Sequence, residues 1–200
     1  GKPIRIIAQA GVPDIAVARA RNLLRFFLTD VPGTRYGADK SAVANAMADN
    51  EAMLMMPTGS HQPGHEPHID AQPLFRDEAP VDGSTWYLTN DWEHRDAGFE
   101  EIFHLVHDAG IGTYIPGALP AYQRALDREA RAAIADGRWG IPIDPGVGDW
   151  IAELEEEDSL AQEYIASVLD TYYGLWGAFD DAPGGMWGIY TAKTRGELLE

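Results

Sequence analysis

The chain has 200 residues, contains no cysteine and carries a formal net charge of −17, with 32 acidic against 15 basic side chains. Its hydrophobic fraction of 45% is sufficient for a globular core, which excludes a wholly disordered chain. The lack of cysteine excludes disulfides and thiolate metal sites. The acidity argues against binding to nucleic acids or anionic membranes, because both attract basic surfaces.

In chain order, the residue pattern predicts one mixed, mostly helical α+β domain covering residues 1–200. Short apolar runs predict strands at residues 4–8, 52–56 and 84–89. Apolar residues at helical spacing predict helices over about 14–30, 39–50, 97–108, 120–136 and 159–176. Residues 57–84, rich in Pro, Gly, His and Asp, predict a long loop, and the acidic run 153–158 predicts a solvated helix start.

The ends of the chain carry a further expectation about processing. Gly1 stands where an initiator Met is usual, which is consistent with a processed start from which any targeting segment has been removed. The last residues read as an interrupted helix, consistent with a longer natural chain. No run of about 18 apolar residues is present, so no transmembrane helix is predicted.

The most informative stretch for function is Glu100-Glu101-Ile102-Phe103-His104. On a helix, Glu100, His104 and His107 fall within about 60° of one another, on one face. Glu101 sits beside that face. Two side chains four residues apart can aim at one metal ion, and the residue after the first can reach a water on that ion.

This stretch is a variant of the zinc-peptidase motif His-Glu-x-x-His, with Glu100 in place of the first histidine. The segment EEIFHLVHDAG resembles the active-site helix of the gluzincins, a zincin-like metallopeptidase group, and especially its anthrax lethal-factor-like branch. Gln162-Glu163, followed by two bulky residues and Ala166, resembles the later gluzincin helix that supplies the third ligand. A strand at 84–89, shortly before the motif, also fits, and the resemblance covers roughly residues 84–176.

The resemblance implies a zincin-like fold and a role for each matching residue. One zinc ion is bound by Glu100, His104 and Glu163, whose side chains converge. Glu101 is the general base that takes a proton from the zinc-bound water. Asp108 or Asp170 orients the His104 imidazole without itself binding the metal. His107, one turn further along, is a near neighbour of the metal and not a ligand.

Glu100 departs from the motif, and the departure changes the expected chemistry. A carboxylate in place of a neutral imidazole lowers the positive charge around the ion, so the bound water is less acidic. We therefore expect weak or absent peptidase activity, and a Glu100→His variant equal to the parent or better. The expected function is a zinc-dependent metallopeptidase acting on peptide or protein substrates, suspected to be secreted or periplasmic. A catalytically inactive zincin-like domain that binds a peptide or protein partner is the alternative.

Three other patterns have simpler explanations. His61, His65 and His68, with Glu66 and Asp70, lie among prolines and glycines that forbid a helix, so a solvated loop is favoured over a metal site or a lid. Tyr172 and Tyr173 are candidates for oxyanion stabilisation, although core packing is the more common role for such aromatics. Glu101-x-x-His104 also satisfies half of a di-iron motif, but the sequence contains no second Glu-x-x-His.

Overall fold

The computed structural model divides into two compact units, Gly1–Leu119 and Pro120–Glu200, which are described separately below. Across the described residues it contains seven α-helices and one small parallel sheet of three strands. This mixed, mostly helical architecture agrees with the predicted α+β class. The described residues are 2–60, 69–81, 88–89, 95–113, 115–140, 147–179 and 183–200.

The first unit contains the sheet, with the strand order β1-β2-β3. The strands are β1 (Arg5–Ala8), β2 (Met53–Met56) and β3 (Gln72–Pro73), and both pairings are parallel. The central strand β2 is almost completely buried, as its continuous apolar sequence predicts for a parallel strand covered on both faces. All three strands precede the motif helix in the chain.

Three helices of the first unit are α1 (Asp14–Phe27), α2 (Ser41–Asp49) and α3 (Gly98–Val106). Helix α3 is the predicted motif helix, and one π-helical segment, His107–Gly112, continues it. The Phe27 ring on α1 packs edge-on against the Phe103 ring on α3, with centroids 5.3 Å apart. This aromatic contact fixes one face of α3 against the core.

The π-helical segment is held in place by α2 and the residue that follows it. A Cβ atom on Gly110 would lie 2.7 Å from Val43 Cγ1 and 2.8 Å from Met47 Cγ, so only glycine allows this close approach. The Asn50 side-chain amide donates to the carbonyl oxygens of Ala109 and Pro116, at 2.8 and 3.1 Å. The helix predicted over about 97–108 thus changes from an α-helix to a π-helix at His107 and continues to Gly112.

The second unit is helical around an aromatic core. Trp139 lies at its centre, with its ring centroid 5.5 Å from that of Tyr164, and its indole N–H donates to Ser167 Oγ at 2.8 Å. The fully buried indole thus keeps a hydrogen-bond partner, as a buried tryptophan requires. The helices of this unit are α4 (Pro120–Ala135), α5 (Val147–Glu156), α6 (Leu160–Tyr172) and α7 (Arg195–Leu198).

Three sequence predictions need correction. The strand predicted at 84–89 is wrong at its end, because Leu88 and Thr89 are helical, whereas 84–87 lie outside the described residues. The long loop at 57–84 contains the short strand β3, which the parallel pairing of Leu54 with Gln72 creates. The acidic run 153–158 covers the end of α5 and the turn after it, not a helix start.

No helix in the described part of the chain is long and apolar enough to cross a membrane.

Candidate metal centre

Helix α3 and the π-helical segment that continues it bury three ionisable side chains. Glu100 and His104 are each 6% exposed, and His107 is fully buried. Ionisable side chains are rarely buried to this degree unless they are paired or bind a ligand. The face predicted from helical spacing therefore points inward.

Arg95 forms an ion pair with Glu100, with Nη2 and Oε2 2.5 Å apart, and both side chains are largely buried. Burial raises the pKa of Glu100, but the charge of Arg95, the neighbouring His104 and the hydrogen bond from Arg95 lower it. The net result is a pKa below the ordinary value of 4.5. Glu100 is therefore a carboxylate at neutral pH, the form a metal ligand requires.

The backbone that carries Arg95 is anchored at the start of α3. Asp96 is 3% exposed and pairs with the guanidinium of Arg19 on α1. The same carboxylate accepts a hydrogen bond from the Gly98 backbone N–H at 2.9 Å, which satisfies one of the free donors at the helix start. A Cβ on Gly98 would lie 2.8 Å from Arg19 Nη1 and 3.0 Å from Asp96 Oδ1, so a larger residue here would displace side chains of this ion pair.

Glu101 has a more open environment than Glu100. Its side chain is 20% exposed, and Oε2 accepts a hydrogen bond of 2.6 Å from the Gln72 side-chain amide on β3. Oε2 also lies 3.6 Å from His104 Nδ1. A carboxylate that is oriented by an amide and accessible to water can accept a proton.

Glu163 lies in the first turn of α6 and is half-buried. One ligand atom from each of Glu100, His104 and Glu163 lies within 4.8 Å of the others, so these three residues form a group that could hold a metal ion. Among the described residues, His107 does not belong to this group. Its imidazole packs against the Phe103 ring, with the two ring centroids 5.7 Å apart. This is the set of residues expected to converge, and their role as metal ligands stays a prediction.

The remaining candidates have local partners. Asp108 accepts a hydrogen bond from the Thr113 hydroxyl at 2.7 Å, and Asp170 accepts one from the Trp176 indole at 3.0 Å. The orientation of His104 by either aspartate stays a prediction. The Tyr172 ring lies under Arg195, 4.2 Å from its guanidinium carbon, and Tyr173 is 39% exposed.

Most of the predicted histidine-rich loop lies outside the described residues. His61, His65, Glu66 and His68 lie outside the described residues. Asp70 is exposed and lines an open cavity together with Gln72 and Asp108.

Sequence reasoning missed two residues of this centre, Arg95 and Gln72. Arg95 precedes Glu100 by five residues, a spacing without meaning for a helix, and it lies before the helix begins. Gln72 reaches Glu101 only because β3 pairs with β2. Neither contact leaves a periodic signal in the sequence.

No family model, no curated protein and no solved structure matches this chain. The function must therefore be inferred from the chemistry of its own side chains.

Proposed function

We propose that the protein binds one zinc ion through Glu100, His104 and Glu163 and hydrolyses peptide bonds weakly, in the manner of a zincin-like metallopeptidase. The observation that carries the proposal is the grouping of these three side chains. One imidazole and two carboxylates are donors that zinc accepts in proteins.

The spacing of the group supports the fit. Ligand atoms about 2 Å from one tetrahedral zinc stand roughly 3.3 Å from one another. The ligand atoms of Glu100, His104 and Glu163 lie within 4.8 Å of one another, which is near this spacing.

The residues around the group have separate tasks in this proposal. Zinc held there would act as a Lewis acid toward the substrate carbonyl and make water more acidic. Glu101 would accept the proton from the attacking water and pass it to the leaving amine. Gln72 holds the Glu101 carboxylate in one orientation through its 2.6 Å hydrogen bond. Activity depends on Glu101, and zinc retention depends on the three ligands.

Metal analysis and calorimetry test the metal part of this proposal. Protein purified without added metal should carry one zinc per chain, or take up one when zinc is titrated in after chelation. His104→Gln and Glu163→Gln should each lower zinc affinity by about 100-fold, since each removes one of three ligands. Glu156→Gln, an exposed glutamate on α5, is the matched control and should bind as the parent does. Stoichiometric binding that survives both ligand variants would refute the assignment.

A peptide library assay tests the hydrolytic part. The zinc-loaded protein should cleave slowly, and a chelator should stop the cleavage. Cleavage by the chelated protein would place the chemistry elsewhere.

A second candidate function, a catalytically inactive domain that binds a peptide or protein partner, is favoured by one observation. The charge of Glu100 is already paired with Arg95, and a Glu101 oxygen already accepts from Gln72, so these two carboxylates have partners without an ion. This candidate predicts no zinc after purification and no cleavage of any library peptide. Zinc uptake with chelator-sensitive cleavage excludes it.

A further inference from the structure

We propose that Arg95 is the charge-compensating residue of the metal centre and makes Glu100 electrostatically equivalent to a neutral ligand. This inference rests on the proposed zinc site. Arg95 pairs with Glu100 and is not itself a candidate ligand, so it would act on the site through its charge.

The first step of the argument is the geometry of the pair. Arg95 Nη2 lies 2.5 Å from Glu100 Oε2, with the two side chains 16% and 8% exposed. A carboxylate has two oxygens with about four lone-pair positions, so it can accept from a guanidinium and still bind a metal ion. Arg95 and zinc are thus compatible partners of one side chain.

The second step is the charge of the ligands. With a neutral histidine at position 100, the three ligands would carry one negative charge. With Glu100 they carry two, and the guanidinium of Arg95 returns one positive charge. The Arg95–Glu100 pair is therefore neutral as a unit, and the site keeps the charge that the variant motif alone would lose.

The third step is that the compensating charge is held in place. The carboxylate of Asp96, the next residue, accepts hydrogen bonds from the Arg19 guanidinium and from the Gly98 backbone N–H. These contacts fix the backbone immediately after Arg95 at the start of α3. A fixed, largely buried charge acts more strongly than a solvated one, because solvent screens it less.

The consequence is a specific change in zinc affinity. Because Arg95 Nη2 lies 2.5 Å from Glu100 Oε2, its positive charge would repel a zinc ion held by this carboxylate, and the repulsion is strong at low effective dielectric. Removal of its charge should therefore tighten zinc binding. An arginine that served only to position Glu100 would give the opposite result, because its loss would weaken binding.

The test is a zinc titration by calorimetry of six proteins: the parent, Arg95→Gln, Glu100→His, the double variant with both changes, and the controls Arg95→Lys and Arg138→Gln. Arg95→Gln should bind zinc at least roughly tenfold more tightly than the parent, whereas Arg95→Lys, which keeps the charge, should remain within about threefold. Arg138→Gln removes an arginine from an exposed pair with Asp136 and is the matched control, with unchanged affinity.

The double variant tests the same idea without an unpaired buried charge. Glu100→His leaves Arg95 without its carboxylate partner at position 100, so it should bind zinc at least roughly tenfold more weakly than the double variant. If Arg95→Gln does not fold, as judged by circular dichroism, this second comparison decides the question. Equal or weaker binding by the charge-removed protein in the deciding comparison overturns the role of Arg95.

The outcomes separate the two proposals. A parent that binds no zinc removes the proposed function, and the inference about Arg95 with it. A parent that binds zinc through Glu100, His104 and Glu163, with affinity insensitive to Arg95→Gln, removes the inference alone.

Discussion

Two adjacent carboxylates on different sides of helix α3 lie in opposite environments. On the buried side, Glu100 is 6% exposed and pairs with Arg95. On the open side, Glu101 is partly exposed and accepts a hydrogen bond from the neutral amide of Gln72. One position of helical rotation, about 100°, separates a compensated charge from an accessible one.

The comparison shows how the same side-chain chemistry can serve two roles. A buried carboxylate needs a cation, and Arg95, a metal ion or both together can supply it. A partly exposed carboxylate with an amide partner keeps its own negative charge and can reach water. We therefore expect the buried side to govern zinc binding and stability, and the open side to govern proton transfer.

The largest expected effect separates the two carboxylates by activity. In Glu101→Gln, zinc affinity should stay within about threefold of the parent, while any hydrolysis by the zinc-loaded protein falls by about 100-fold or more. Glu100→Gln should instead lose zinc affinity. Calorimetry and cleavage rates at saturating zinc measure both. If cleavage survives in Glu101→Gln, the open side is not the site of proton transfer.

The next effect separates them by stability in metal-free protein. Glu100→Gln leaves Arg95 largely buried without an anionic partner at position 100, so the free energy of unfolding should fall by about 2–3 kcal/mol. Glu101→Gln should cost less than about 1 kcal/mol, since its partner is a neutral amide. Denaturant unfolding with a chelator present, followed by circular dichroism, measures these values. Equal losses from the two variants would show that burial does not distinguish the two sides.

A smaller effect is expected from Gln72→Leu, which removes the partner of Glu101 and leaves the buried side intact. The hydrolysis rate should fall by about tenfold because the carboxylate is no longer oriented, and zinc affinity should not change. Gln72→Asn is the conservative comparison, with the same amide on a shorter side chain. A Gln72→Leu variant that loses zinc rather than rate would mean that Gln72 supports the buried side.

The smallest effect concerns how far the buried side extends along the helix. His107 is fully buried but outside the candidate ligand group. His107→Gln should therefore leave zinc affinity within about threefold of the parent, although some stability is lost because the imidazole packs against Phe103. Calorimetry at matched zinc concentrations measures this. A loss of about 100-fold would make His107 a ligand.

The pair with Arg95 also changes one expectation drawn from the motif alone. From the motif alone, the peptidase activity of the Glu100→His variant was expected to equal or exceed that of the parent. Because Arg95 forms an ion pair with Glu100, that single change would leave the guanidinium beside the zinc site without this carboxylate. Peptidase activity equal to or above that of the parent is now expected only when Arg95 is replaced as well.

The sequence alone determined the local features of this protein. Apolar spacing located β1, β2, α1 and α3 to within a few residues, because each pattern depends on side chains near one another in the chain. The three-residue group that could hold a metal ion was also anticipated, from helical phase for Glu100 and His104 and from resemblance for Glu163. The identity of the ion and the activity remain predictions.

Only the tertiary structure decided what surrounds the motif. Strand β3 exists because two residues from a proline-rich segment pair with β2, and this pairing brings Gln72 to Glu101. Arg95 meets Glu100 because Asp96 fixes the start of α3 through Arg19, 77 residues earlier in the chain. Such contacts depend on packing between distant segments, so composition and periodicity carry no trace of them. They nevertheless set the charge on which the chemistry of the site depends.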